Sequence, residues 1–374
     1  MKRKILIIAG EVSGDQHAAD LVGELKKFDG EIEFAGIGGD RLAAEGVHLH
    51  YHLSQLAVLG FSEIVKHLPF IRKVLKHMKQ ELKGGVQAVI LVDYPGFNLR
   101  VARLAREAGV PVIYYISPQL WAWGEKRVEK MRRYVDLLLV LFRFEVEFYR
   151  RHGITAHFAG HPLIDQIPAE ADSAEFRRAH DLPPDVPILG LFPGSREMEV
   201  RKLLPVMIAA AETVQSRHAC IPVIARVSHL PAALYEDALS GRTAIPMVEN
   251  RSHLLMRHAH VALVASGTAT LELGYLQTPM VVLYTVSPFT YWLGKRLIKI
   301  NNIALANIVA GKTVVPEFIQ QQVTVEPVSA AISRYFSDER YYQSVREQLG
   351  AVRQALGEPG ASQRAAEKIW AFLK

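Results

Sequence analysis

Two trains of short apolar runs divide the chain, each run followed by a stretch in which apolar residues recur at helical spacing. In the first half the runs cover residues 4–9, 31–35, 88–92, 110–116 and 135–141, with helices expected over 16–28, 99–108 and 145–152. Near-continuous Val/Ile/Leu runs bounded by turn residues mark strands buried on both faces, as in parallel sheets. The alternation then restarts: strands over 188–192, 222–225, 244–248 and 261–264, and helices over 201–217, 231–239 and 250–258. A polar passage over 165–187, carrying Pro168, Pro183, Pro184 and Pro187, separates the two trains. Amphipathic helices over 343–356 and 361–373 close the chain. Two runs of strand-then-helix, each with its own start, predict an α/β protein of two doubly wound domains facing one another.

Composition agrees with two domains. At 374 residues the chain is too long for one ordinary domain, and 49% hydrophobic residues suffice for two cores. The single cysteine, Cys220, excludes a disulfide framework and a cysteine zinc site, and fits a reducing compartment. Lys and Arg total 44 against 38 Asp and Glu, and the net charge of +6 favours an anionic partner: nucleic acid, a phosphorylated substrate or a membrane surface. The N-terminus opens like a secretion signal, but its apolar core of residues 5–9 is too short for one. The longest greasy stretch, 137–142, is far too short to span a bilayer. A soluble or surface-bound protein is expected.

The informative loops follow the strands. Residues 187–200, PILGLFPGSREMEV, read as a buried strand, a Pro193-Gly194 break and a helix start with Ser195 as its cap. Free amides at a helix start bind anions, Gly194 admits a close ligand, and the Arg196 guanidinium suits phosphate oxygens. An ordinary βα turn with a surface arginine is the alternative. The second such loop is Ser266-Gly267-Thr268-Ala269-Thr270-Leu271-Glu272, whose Glu272 shares a helical face with Thr268 and suits ribose hydroxyls. Its alternative is a plain hydroxyl cap with an acidic first turn. Two such loops in one half strengthen the case for a nucleotide diphosphate. No Asp-x-Asp pair, P-loop lysine motif, G-x-S-x-G or H-E-x-x-H occurs, so helix ends and arginine are expected to hold the diphosphate without metal.

In the first half, Gly10 and Gly14 of GEVSGD lack the third glycine of a dinucleotide fingerprint, while Ser13 and Gln16 suit a capping box. Asp93 ends the apolar run 88–92, where open α/β sheets bind ligands; a turn or helix cap is its other reading. His48, His50 and His52 alternate and would share a strand face, as metal ligands or as solvated or hydrogen-bonded histidines; no obvious fourth ligand stands at zinc-site spacing. Residues 56–83 are both apolar and basic. One helix is expected before Pro69 and another from Pro69 to residue 82, with Phe70, Ile71, Val74, Leu75 and Met78 on one stripe and Arg72, Lys76, Lys79 and Lys83 on the other. With Phe61 and Glu63 just upstream, this segment is a candidate membrane and acceptor surface, although such a stripe also packs on sheets. Basic residues cluster here and at 126–133 beside apolar ones, which favours a membrane over nucleic acid.

GEVSGD, DYPGFN, SPQLWAWG, FAGHPL, LFPGSRE, ASGTATLE and NIVAGKTVVPEFIQ, in that order, resemble the lipid-A-disaccharide synthases over nearly the whole chain. The resemblance implies a GT-B glycosyltransferase with two Rossmann-like domains facing a cleft, an acceptor and membrane-side domain over 1–165 and a UDP-sugar domain over 166–344. It implies transfer of 2,3-diacylglucosamine from UDP to the 6-hydroxyl of 2,3-diacylglucosamine 1-phosphate, with inversion to a β-linkage, release of UDP and no cofactor. It further implies UDP binding through Gly194, Ser195, Arg196, Ser266, Gly267, Thr268, Ala269, Thr270, Glu272 and Asn307. Asp93 falls on the family's catalytic aspartate, with Glu11 and Asn98 beside it. The helices over 345–374 are expected to return to the first domain or to be exchanged in a homodimer, and the enzyme to sit on the cytoplasmic face of the inner membrane. A UDP-sugar 2-epimerase-like isomerase is the alternative, and a non-catalytic basic binder of RNA or membrane the third reading.

Overall fold

The computed structural model describes residues 3–57, 64–121, 127–168, 172–242, 244–287 and 302–374, and of residues 56, 57 and 64–68 the backbone only. The chain forms two compact units: Met1–Pro162 with Glu358–Lys374, and Leu163–Gly357.

The first unit is a seven-stranded parallel sheet in the order β3-β2-β1-β4-β5-β6-β7. Its strands are β1 (Lys4–Ala9), β2 (Glu33–Gly38), β3 (His48–His52), β4 (Ala88–Val92), β5 (Val112–Tyr115), β6 (Leu137–Val140) and β7 (Ala156–Phe158). β1 and β4 are apolar on both faces because helices cover both, and every residue of Ile5–Ala9 and Ala88–Val92 is buried. The order turns back between β1 and β4, so the loops leaving these two strands flank the sheet's switch point.

The second unit repeats the plan with six parallel strands in the order β10-β9-β8-β11-β12-β13. They are β8 (Ile188–Phe192), β9 (Ile221–Arg226), β10 (Met247–Glu249), β11 (Ala259–Ala265), β12 (Met280–Tyr284) and β13 (Glu317–Ile319). Here the order turns back between β8 and β11, the strands that lead into FPGSRE and ASGTATLE.

Several expectations change. The first helix spans Val12–Phe28, starting four residues early, and no side chain caps it. The expected Ser13 and Gln16 box is absent because Ser13 and Gln16 already lie inside the helix. The 64–81 region is one helix, Ile64–Glu81, running through Pro69. Pro69 sits in its second turn, where a missing N–H removes a single ladder bond near the end. Val74 and Met78 are fully buried against the sheet, and Phe70, Ile71 and Leu75 pack on the same core. The apolar stripe assigned to a membrane, Phe70 and Val74 included, is therefore core. Arg72, Lys73, Lys76 and Lys79 face solvent. Phe61 and Glu63 lie outside the described residues.

The border between the units also moves. Helix Glu339–Leu356 packs on helices Ala269–Tyr275 and Leu305–Ala310 of the second unit, so only helix Ala361–Leu373 belongs to the first. That last helix lies on Val12–Phe28 of its own chain, burying Ala361, Ala365, Ala366 and Ile369. Trp370 stacks on Phe28 with ring centroids 5.8 Å apart and lies under the Arg3 guanidinium at 4.8 Å. The polar passage is structured too, with a turn of 3-10 helix at Pro162–Gln166 and helix Ser173–Ala179, whose first amides bond to the Asp172 carboxylate.

Candidate active site

At the first switch point, Asp93 and Tyr94 both adopt the left-handed conformation, φ 45° each. Two groups hold this strained turn. The Asn98 amide donates to the carbonyls of Val92 (3.1 Å) and Asp93 (2.7 Å), and the Tyr114 hydroxyl donates to Asp93 O at 2.6 Å. Pro95 then opens helix Pro95–Glu107 with its φ already set. Tyr94 lies flat over Gly10, where any Cβ would run into its ring. The turn thus presses against the loop after β1 and brings Asp93 into the field of Glu11. Burial, then the Glu11 charge, push the Asp93 carboxyl up from 3.8 to about 6, against a smaller lowering by the Tyr94 amide. A carboxylate with that affinity accepts a proton well near neutrality. Asn98 is wholly buried under the turn and holds backbone. The structure thus places this expected catalytic residue beneath the turn that carries Asp93, with its amide N–H groups on that turn.

Two supports of this unit were not legible in the sequence. Asp15 of GEVSGD is buried and accepts from the amides of Gly39 (2.6 Å), Arg41 (3.0 Å) and Leu42 (3.3 Å), fixing the loop after β2. Glu145 is buried and accepts from Ser117 Oγ at 2.8 Å, Trp121 Nε1 at 3.3 Å and the amides of Leu141 and Phe142, which anchors SPQLW. Burial raises its carboxyl to about 7 despite those donors. Only tertiary burial distinguishes these two from the exposed acids of the chain.

At the second switch point a cavity of about 310 Å³ opens between the loops after β8 and β11, lined by Gly194, Arg196, Glu199, Gly267, Thr268 and Glu272 among others. Ser195, Ser266 and Ala269 line it as well. Gly194 has φ 105°, and a side chain there would collide with Glu199. Helix Glu197–Gln215 starts earlier than expected, and Ser195 does not cap it. Instead the Glu199 carboxylate reaches back to the amides of Ser195 (3.2 Å) and Arg196 (3.3 Å), and to the Arg196 guanidinium at 3.1 Å. The loop thus already holds one anion, its own. The Arg196 side chain is 82% exposed and free to turn to another. Across the cavity Thr268 precedes helix Ala269–Tyr275, and Glu272 pairs with His253 at 3.3 Å.

Three expected nucleotide contacts also bond inside the protein. Thr270 is buried with its hydroxyl on Gly267 O (2.8 Å), and Ser266 donates to Ile303 O (3.2 Å). Asn307 is fully buried, and its amide uses every group: it donates to Val315 O and Glu317 Oε1, and accepts from the amides of Val314 and Val315. Asn307 does not line the cavity. It pins the segment leading into β13.

Two Rossmann-like parallel-sheet units, each with its loops gathered at a switch point, are the architecture of the GT-B class. A family model described as lipid-A-disaccharide synthetase matches residues 5–369. The chain is 39% identical over 377 residues to the lipid-A-disaccharide synthase of Geobacter metallireducens, covering 99% of this chain and 97% of that one. With the enzyme of the same name from Coxiella burnetii it shares 37% over 370 residues, 98% of each chain. Among solved structures, MurG of Acinetobacter baumannii superposes with TM-score 0.60 at 15% identity, covering 99% of this chain and 100% of that chain. UDP-GlcNAc 2-epimerase of Neisseria meningitidis gives 0.63 at 12%, covering 98% and 100%. The chain belongs to the lipid-A-disaccharide synthase family and is a glycosyltransferase of lipid A biosynthesis. The two solved structures share its fold.

Proposed function

We propose that the enzyme joins UDP-2,3-diacylglucosamine to 2,3-diacylglucosamine 1-phosphate, giving the β-1,6-linked disaccharide 1-phosphate and UDP. The Asp93 carboxylate takes the proton of the acceptor 6-hydroxyl. That oxygen forms a bond to the anomeric carbon as the bond to the diphosphate breaks on the opposite face, which inverts the configuration. The electron pair leaves with UDP. The amides of Ser195 and Arg196, the Arg196 guanidinium and the start of helix Ala269–Tyr275 take up the charge that develops on the diphosphate. Glu199 gives up those amides when the diphosphate arrives. Gly194 and Gly267 admit it, while Thr268, Ala269 and Glu272 face the nucleoside.

The observation that carries this reading is the placing of Asp93 at the end of β4, in a left-handed turn held by Asn98 and Tyr114 beside the loop of Glu11, with burial and the Glu11 charge raising its carboxyl. Asp93 and Arg196 belong to different units. Both substrates are acylated, so the enzyme works at the cytoplasmic face of the inner membrane. Among the described residues no helix is long and apolar enough to cross a membrane. The exposed basic face of helix Ile64–Glu81, with Arg72, Lys76 and Lys79, supports contact with anionic lipid.

The test is to incubate the enzyme with the UDP-sugar, with and without acceptor, and to follow UDP and the anomeric configuration of the product. UDP released only with acceptor, together with a β-linked disaccharide, is the expected result. A 2-epimerised UDP-sugar formed without acceptor would instead assign the site to an isomerase.

A further inference from the structure

The reaction above uses none of the alternating histidines of β3. The fold carries one of them to the end of helix Ile64–Glu81, where His77 and Glu81 stand one turn apart on the same face. His50 Nε2 lies 3.4 Å from Glu81 Oε2, and His77 Nε2 lies 3.7 Å from Glu81 Oε1. One ligand atom from each of the three residues falls within 4.8 Å of the other two. Ligand atoms around a tetrahedral zinc ion, each roughly 2.0–2.1 Å from the metal, are about 3.3 Å apart. The cluster therefore needs only a small contraction to close on an ion.

Two further observations point the same way. The His77 Nδ1 stands 3.2 Å from the Tyr51 hydroxyl. In the tautomer with its proton on Nδ1, His77 would present a bare Nε2 toward Glu81, the orientation that an outer-shell hydrogen bond gives a metal-ligating histidine. The His50 Nε2 is buried and makes no hydrogen bond among the described residues. One cation is already near: Lys4 Nζ bonds to Glu81 Oε2 at 2.7 Å, which leaves Oε1 toward His77.

We infer that His50, His77 and Glu81 form a site for one divalent zinc-type cation, with water in the fourth position. Two imidazoles and a carboxylate are a donor set that suits zinc. The site lies apart from the reaction above. His50 lies on the edge strand β3, level with Ile7–Ile8 of β1 but three strands from β4 and so about 14 Å from it at ~4.8 Å per strand. A bound ion would staple the edge strand β3 to the helix packed beside it.

The test is a zinc titration of untagged, chelator-stripped protein against a chromophoric chelator, with thermal melts alongside. One saturable site per chain and a raised melting temperature are expected. His50→Ala and Glu81→Gln should each weaken binding by more than the roughly 10–100-fold that outer-shell changes cause. His48→Ala, at an exposed neighbour outside the set, should bind as the parent does. Lys4→Met removes the competing ammonium and should bind at least as tightly. No saturable site in the parent, or zinc binding unmoved by both His50→Ala and Glu81→Gln, overturns the inference whatever the variants do to the fold.

Discussion

Asp93→Asn should stabilise the fold while disabling transfer, and the two effects come from one cause. The folded protein holds the Asp93 carboxyl at about 6 against an ordinary 3.8, so it binds this proton more tightly than the unfolded chain does. The stabilising contribution of the protonated form is fully present below about 4 and is lost as pH rises through about 6. Above that, the buried charge costs the parent at most about 3 kcal/mol, at ~1.36 kcal/mol per pKa unit. Asparagine keeps the shape, carries no charge, and tolerates the left-handed backbone at least as well as aspartate. Urea denaturation followed by circular dichroism at pH 5 and pH 8 measures the difference. The variant should be more stable than the parent at pH 8, by up to about 3 kcal/mol, and by roughly half of that at pH 5. Turnover at saturating substrate should fall roughly 10²–10⁴-fold, the usual loss for a general base. A variant less stable than the parent at pH 8, or an equal gap at both pH values, would refute the burial argument. Normal turnover would move the base elsewhere.

Three other outcomes follow from the geometry. Arg196→Ala should weaken UDP binding in calorimetry by about 1.5–3 kcal/mol, the loss of a charge-assisted hydrogen bond; unchanged affinity would remove Arg196 from the diphosphate site. Asn307→Ala should lower stability by roughly 1–3 kcal/mol for each buried group left unpaired, while folded enzyme keeps its donor KM; a raised KM at parental stability would return Asn307 to the nucleotide. Replacing Arg72, Lys76 and Lys79 by Ser should release the protein from anionic liposomes in flotation, at about 1 kcal/mol per residue, while activity on detergent-dispersed substrate stays parental; equal flotation would leave this face without a membrane role.

Much of the sheet core was legible because burial on both faces writes itself as an unbroken apolar run, as in Lys4–Ala9, Ala88–Val92 and Ile188–Phe192. Ala156–Phe158 was missed because three residues carry no period. The stripe of Phe70, Val74 and Met78 was read as lipid-facing, since helical spacing says that a face is apolar but not what covers it. Helix Val12–Phe28 began early because no side chain caps it, and a boundary read from caps then slips. At the site, strand-end position pointed to Asp93, Arg196 and Thr268. The inward turns of Asn98, Thr270 and Asn307 were not legible, because a buried amide and a ligand-binding amide look alike until their partners are known. The hold of Glu199 on the Ser195 amide was not legible either, because it depends on the bend at Gly194.

That Asp93 takes the acceptor proton is tested most directly by the pH profile of kcat/KM for the parent, Glu11→Gln and Asp93→Asn. The parent should lose rate below an apparent pKa of about 6, tenfold per pH unit. Glu11→Gln removes a charge that raises Asp93, so its acid limb should shift to lower pH. The residual activity of Asp93→Asn should lack that limb. A limb that persists in Asp93→Asn, or that stays in place in Glu11→Gln, would contradict the assignment of Asp93 as the base.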